Sequence, residues 1–355
     1  MKKRDKKLLV ALKRRRRKSI MRRRRKKVLP VPRLKKNKLI GGGVLHEPER
    51  KPDPLRAPID FRLLKNTEEC INFFKKVRAR KGAIRDRNNR LVLKIDLSRI
   101  EYIDFASTMM LDAICEELAS TAPVCNVYGD SPRNEKCRQY LHDSGFLNNK
   151  YDSKGRKYSD SDQSLNMKIE RGCTRIEDND IRRVVNIEER ISQHVAKGVG
   201  KKYCHINMIK EICGNTVDWS EAVRDQWIYG AKFETDKVIV VALDLGKGIL
   251  ESISRKFSDI LKDLLDSNSH LEILEGAYNR KYGSKSGRKN RNRGLPSIKY
   301  ANENGDIKEL VVITNNVLLD FTTPSNSRKF VANKSRGFSG TLYSWIIDAS
   351  CYKKI

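Results

Sequence analysis

The 355-residue chain carries 75 Lys/Arg against 44 Asp/Glu, a net charge of +31, with 38% hydrophobic residues. At about 100–200 residues per domain, that length gives two domains with extensions. No stretch approaches the roughly 18 apolar residues of a membrane span, and Leu8–Leu12 is too short an apolar run for a secretory signal before Arg and Lys resume.

Residues 1–38 hold 21 Lys/Arg and one acid, Asp5, so this arm carries +20 and the remaining chain +11. Two solid blocks contain Arg14, Arg15, Arg16 and Arg17, then Arg22, Arg23, Arg24 and Arg25. Like charges this dense repel one another and bury no core, so the arm is expected to be disordered in isolation. Such a segment neutralises DNA or RNA phosphates without reading sequence. No aromatic residue precedes Phe61, so base stacking is not available in the arm. The alternatives are weak attraction to an anionic membrane and a solvated tail that aids solubility. Gly41–Gly43 and the Pro-punctuated stretch Pro48–Pro58 read as a linker, which closes an arm-and-linker segment at 1–58.

A globular pattern begins at Ile59. Asn66 followed by Thr67, Glu68 and Glu69 predicts a helix start, with Cys70, Phe73, Phe74 and Val77 on its apolar face. LVLKIDL (91–97) predicts a strand, four-residue spacing of Met110, Ile114 and Leu118 a helix over about 105–119, and APVCNVYG (122–129) a second strand. Ser131-Pro132 reads as a helix start and Gly145 as its stop. Short connections between alternating strands and helices imply a parallel pair with a right-handed crossover. Residues 149–185 are polar and read as a linker or surface excursion. Beyond them come helices at 186–198 and 203–218, a strongly apolar strand at 238–244, a basic loop at 280–293 and a short helix at 295–302. Strands at 309–315, 317–321 and 340–347 close the chain. The eight cysteines form no Cys-x-x-Cys pair and sit mostly in apolar runs, so reduced, buried thiols in the cytosol, or a nucleoid within it, are expected.

Four blocks of the second unit carry chemistry. EICGNTVD (211–218) puts Glu211, Asn215 and Asp218 at i, i+4 and i+7 on one face of a predicted helix. An amide oxygen there can ligate Mg2+ while a carboxylate polarises water; a solvated polar face is the plainer reading. DLGKGI (244–249) follows the apolar strand. Its Asp244 can accept the exocyclic amine of adenine, and Gly246 and Gly248 allow close backbone approach. In RNRGLPSI (291–298) a basic glycine-containing loop leads into helical amides that can hold a phosphate. Seven Lys/Arg and no acid over 280–293 suit a lid over a polyphosphate or, equally, a solvated loop. SGTLYSWII (339–347) is a closing strand whose Thr341 can bond a base edge or its water.

In this order the blocks resemble the GHKL ATPase superfamily, which includes gyrase, the ninety-kilodalton heat-shock chaperone, histidine kinases and mismatch-repair ATPases. EICGNTVD resembles the N box, DLGKG and RNRGL the two glycine boxes, and Gly340-Thr341 the strand that ends the site. The resemblance, over residues 186–355, implies a Bergerat-fold α/β sandwich with ATP and Mg2+ as cofactors. It implies Glu211 as the water-activating base, Asn215 as the metal ligand and Asp244 as the adenine reader. Asp218, Gly246, Gly248 and Thr341 would line the pocket, with Arg293 and Gly294 on phosphate. Residues 59–148, with VLKIDLSRIEYIDFASTMMLDAI at their centre, resemble a STAS domain, the anti-anti-sigma-factor fold. That family switches partners through a serine two positions after the aspartate that Asp104 resembles. Here Ala106 stands at that position and Ser107 replaces the usual glycine, which argues against such switching and leaves Asp104 as a helix cap.

The expected architecture is thus α/β: a basic arm, a STAS-like βαβα domain, and a Bergerat-fold domain. The leading expected function is an ATP-driven switch that closes a lid, repacks the STAS-like domain or a protein partner, and stays on nucleic acid through the arm. A serine/threonine kinase acting on a STAS partner and a non-catalytic ATP-sensing scaffold are the other readings, and a homodimer stays open. Scattered histidines, including Cys204-His205, lack zinc spacing. His46-Glu47-Pro48 lacks the helix a phospho-acceptor box needs, and no Walker motif is present.

Overall fold

The computed structural model describes residues 54–80, 83–85, 91–121, 125–148, 150–159, 167–172, 178–197, 203–220, 227–256, 269–279, 294–330 and 338–352. The arm with its arginine blocks, His46, and the basic loop with Arg293 lie outside the described residues. Residues 51–355 make one compact unit, in which the two expected globular regions share a core.

The first region runs β1 (Leu55–Arg56), β2 (Asp60–Phe61), α1 (Thr67–Arg78), β3 (Ile84–Arg85), β4 (Leu91–Asp96), β5 (Tyr102–Ile103), α2 (Phe105–Thr121), β6 (Cys125–Asp130) and α3 (Glu135–Asp143). Strand β4 is central, parallel to β1 and β6 and antiparallel to β3. Helix α1 starts where predicted, with Asn66 Nδ2 donating to Asp60 O at 2.8 Å and to Glu69 Oε2 at 2.9 Å. Its Cys70, Phe73, Phe74 and Val77 are buried together. Helix α3 begins later than the Ser-Pro pair predicts. Asn134 is the residue whose Oδ1 accepts from a first-turn amide, that of Cys137 at 3.2 Å, so the cap falls there. Gly145, at φ +72°, ends it as expected.

The polar stretch after residue 148 does more than link. Tyr151 bridges Tyr128 and Lys157, and Met167–Gly172 forms β7, an edge strand of the larger sheet. The second region continues with α4 (Asp178–Ala196), α5 (Tyr203–Asn215), a π-helical turn (Thr216–Ser220), β8 (Trp227–Phe233), β9 (Lys237–Asp244), α6 (Ile249–Lys256), α7 (His270–Tyr278), α8 (Gly294–Glu303), β10 (Lys308–Asn315), β11 (Val317–Asp320), β12 (Arg328–Lys329) and β13 (Phe338–Asp348). The seven strands lie in the order β12-β11-β10-β13-β9-β8-β7, and every neighbouring pair is antiparallel.

Period-two alternation sorts this sheet into two buried faces. Trp227, Tyr229, Val240, Ala242, Tyr343 and Trp345 pack with residues of the second region's own helices, among them Ile187, Ile209, Leu274 and Ile298. Ile228, Val241, Leu243, Ile313 and Leu342 face the other way and join Phe73, Phe105 and Met109 in the core of the first region. Antiparallel sheets commonly leave one face to water; here both are covered, which explains the unbroken apolar run of β9. Gly230 permits the close approach, since a Cβ there would lie 2.6 Å from Met109 Sδ and 2.9 Å from Phe105 Cζ. Arg171 pairs with Asp112 across the same junction, and Arg328 Nη2 donates to the Thr67 hydroxyl at 3.1 Å. Six cysteines among the described residues are free thiols, five of them buried. No helix of the described residues is long and apolar enough to cross a membrane.

Gly230→Val forces atoms into an occupied junction and should destabilise the protein by about 1–3 kcal/mol. Denaturant titration followed by tryptophan fluorescence and by circular dichroism should show both regions unfolding in one shifted transition. Two independent transitions in the parent protein would contradict the shared core.

Candidate functional site

Asp244 is the last residue of β9, in register with Trp227 of β8 on one side and Thr341 of β13 on the other. Alternation aims its side chain at the helix-covered face, where it is only 7% exposed. Its Oδ1 accepts the Gly246 amide at 2.7 Å. Burial pushes its carboxyl up to about 6, opposed by that amide, by the positive charge of Arg78 and by the Thr216 hydroxyl. Among the described residues no salt bridge to this carboxylate is present, so it keeps hydrogen-bonding capacity in a desolvated setting.

The turn after it is gripped from two sides. A Cβ on Gly246 would lie 2.3 Å from Ser220 O, and the Lys247 amide donates to that oxygen at 2.6 Å. Gly248 sits at φ +81° against the Asn315 side chain, which a Cβ would meet at 2.5 Å. Asn315 Nδ2 donates to Lys247 O at 2.7 Å while its Oδ1 accepts the Leu250 amide at 3.0 Å. Thr314 Oγ1 accepts the Ile249 amide at 2.9 Å and lies 3.2 Å from Thr341 Oγ1. Thr314 and Asn315 thereby satisfy first-turn amides of α6 from another strand.

Helix α5 buries His205, Ile206, Met208, Ile209, Ile212 and Cys213, which leaves Glu211 and Asn215 half-buried on another side. Glu211 packs against the first residue of α8, since a Cβ on Gly294 would overlap its Oε1. The carboxylate thus lies by a helix N-terminus, where negative charge is favoured. The α-helix ends at Asn215 and passes into the π-turn, whose Thr216 and Ser220 touch the Asp244 turn. Asp218 therefore does not continue the α-helical face at i+7; it lies in the π-turn and is exposed. Tyr343 spans the gap. Burial first of all, then the Asp244 and Glu211 charges, raise its phenol.

Asp244, Gly246, Gly248 and Thr341 thus meet at one end of the sheet, Glu211 meets Gly294, and the helix bearing Glu211 and Asn215 runs into the first group. Thr314 and Asn315 belong to this site although no sequence motif marks them, while Thr216 and Tyr343 lie inside the EICGNTVD and SGTLYSWII blocks with no role that the motif assigns. Asn315-Asn316 between two apolar runs signals a two-residue hairpin, but not the reach of Asn315 into a distant turn. Arg78, at the end of α1, likewise belongs to no motif. Its guanidinium pairs bidentately with Glu117 of α2 at 2.6 and 2.8 Å and donates to Leu245 O at 2.5 Å and Ser339 O at 2.6 Å. One side chain of the first region thereby ties the two chain segments flanking Asp244 and Thr341.

Elsewhere, Asp104 caps α2, accepting the Ser107 amide at 2.7 Å and the Leu64 amide at 3.2 Å. Ser107 is fully buried, and its hydroxyl donates to Asp104 O. His205, next to Cys204, is enclosed between Glu188 Oε2 at 3.0 Å and Asp306 O at 2.6 Å. Among the described residues, no group of three or more His, Cys, Asp or Glu could hold a metal ion.

The folded-state carboxyl of Asp244 lies above its unfolded value, so its stabilising effect is present below about pH 4 and lost as pH rises through about 6. Asp244→Asn should therefore exceed the parent in stability by roughly 1–3 kcal/mol at pH 7. The advantage should vanish below about pH 4, and paired thermal melts across that range measure it.

The chain matches no family model, no curated protein and no solved structure.

Proposed function

We propose that residues 186–355 form a GHKL-type site that binds ATP with Mg2+ and works as a switch ATPase. The buried carboxylate of Asp244, paired in register with Thr341 and followed by a glycine turn, is the observation that carries this reading. Adenine offers an amine donor to such a group where guanine offers a carbonyl, so Asp244 selects adenine and Thr341 completes the base contact. The donor set also suits a nucleotide-borne magnesium. Mg2+ keeps several waters and takes few protein ligands alongside phosphates, so Asn215 with phosphate oxygens is enough. When bound, Mg2+ would neutralise phosphate charge, and Glu211 would orient and deprotonate the attacking water. Gly294 and the amides after it would hold phosphate, with the motif adding Arg293.

Coupling runs through Arg78. A change in the Asp244 turn or the start of β13 is felt by a guanidinium anchored to α1 and α2, so nucleotide state and the packing of the STAS-like region are linked. The basic arm would retain the protein on DNA or RNA. Burial of Ser107 and the presence of Ala106 disfavour self-phosphorylation.

Calorimetric titration with MgADP and an ATP analogue should show binding by the parent chain, and Asp244→Asn should remove it. Because the ligand amine favours the ionised carboxylate, affinity should fall as pH drops through about 6. Glu211→Ala should keep affinity and lower phosphate release by at least about 100-fold, in line with general-base contributions. Loss of phosphotransfer to a partner instead would favour the kinase, and unchanged activity the scaffold. Failure of the parent to bind either nucleotide would sink the proposal.

Deleting residues 1–38 should weaken nucleic-acid binding and flatten its dependence on salt, because counterion release scales with phosphates neutralised. An unchanged salt slope would remove the arm from the interaction.

A further inference from the structure

The first region carries a row of side chains that the nucleotide site does not use. Position by position across the sheet, Lys94 of β4 pairs with Tyr128 of β6, Tyr128 with Tyr151, and Tyr151 with Lys157. Directly paired positions present their side chains on the same face, so the order is Lys-Tyr-Tyr-Lys. The opposite face of β4 is committed to the core through Leu93 and Ile95. The tyrosine rings lie 5.9 Å apart between centroids at 50°, and Tyr151 is 43% exposed.

The turn presenting Tyr151 is held in place before any ligand arrives. Gly129 N donates to Tyr151 O at 3.0 Å, while the Tyr158 hydroxyl donates to Gly129 O at 2.8 Å and accepts the Ser131 amide at 3.0 Å. Lys154, Arg156 and Lys157 are exposed on this turn. Among the described residues, three nearby acids are engaged within the protein. Asp152 binds the Arg156 guanidinium at 2.7 Å, Asp130 accepts the Ser153 hydroxyl at 2.5 Å, and Asp96 accepts the Ser98 amide at 2.9 Å.

We propose that Tyr128 and Tyr151 form a stacking platform for unpaired bases of a single-stranded nucleic acid, with Lys94 and Lys154 taking its phosphates. Every base has a π-face, so aromatic rings bordered by cations bind single strands with little regard to sequence. The basic arm cannot supply this contact, having no aromatic residue. The platform would therefore add a preference for unpaired strands to the arm's affinity for phosphate. It does not depend on the ATP reading.

The test uses the full chain and fluorescence anisotropy with labelled oligo-dT and oligo-rU of about 16 nucleotides, a duplex of equal length, and phosphatidylserine vesicles. Tyr151→Ala should weaken single-strand binding about 5- to 100-fold, and Tyr151→Trp should restore it. Duplex affinity and the single-strand salt slope should stay at parent values, because no phosphate contact is removed. The stronger of the two single strands identifies DNA or RNA as the ligand. Parent-like single-strand binding by both Tyr151→Ala and Tyr128→Leu overturns the proposal. So does an equal loss on the duplex, or a loss confined to vesicles.

Discussion

Keeping one carboxylate out of water, at the end of a strand buried on both faces, is the constraint around which the second region is arranged. Asp244 loses hydration and recovers part of it from an amide two residues on, a hydroxyl on the π-turn and a guanidinium from the other region. Each compensating group needs its own support. The π-turn must break the regular helix to bring Thr216 and Ser220 to the strand end, and Asn315, at φ +54° in the β10–β11 hairpin, reaches with its side chain to the turn after Asp244. Such departures from ideal geometry persist only where their surroundings hold them, and these two meet beside a single side chain.

The elements were largely readable from periodicity, because burial on one or two faces writes itself into residue spacing. The apolar faces of α1 and α2, the run of β9 and the closing strands all follow from that rule. What was not readable depended on contacts distant in sequence. Lys168, Glu170 and Arg171 make β7 look polar, yet it is a true strand because an edge position tolerates charge. Asp218 was placed by assuming an uninterrupted α-helix, which the π-turn invalidates. Arg78 lies 167 residues from the carbonyl it grips, and no local pattern announces such a partner. That Asp244, Gly246, Gly248 and Thr341 lie together is legible because a strand end and its turn are local; the contacts of Thr314 and Asn315 are not, because they are made across the sheet.

The proposed functions use different physics in different places. A desolvated carboxylate discriminates by donor and acceptor matching, where low dielectric makes each hydrogen bond count. An arm of +20 acts through long-range attraction that salt attenuates. Exposed rings recognise bases by contact, largely indifferent to ionic strength. A protein combining the three can hold nucleic acid loosely, sense whether its strands are open, and change state with nucleotide. Arg78 is the physical element shared between the region that bears the rings and the region that bears the carboxylate.

The doubly covered sheet also decides how the polypeptide can be divided. A cut between the two regions would leave Ile228, Val241, Leu243, Ile313 and Leu342 as a bare greasy surface on one fragment, and Phe105 and Met109 on the other. Surfaces of that kind drive self-association. Neither half is a self-sufficient module, so recombination that exchanges one region without the other carries that bare surface into its product.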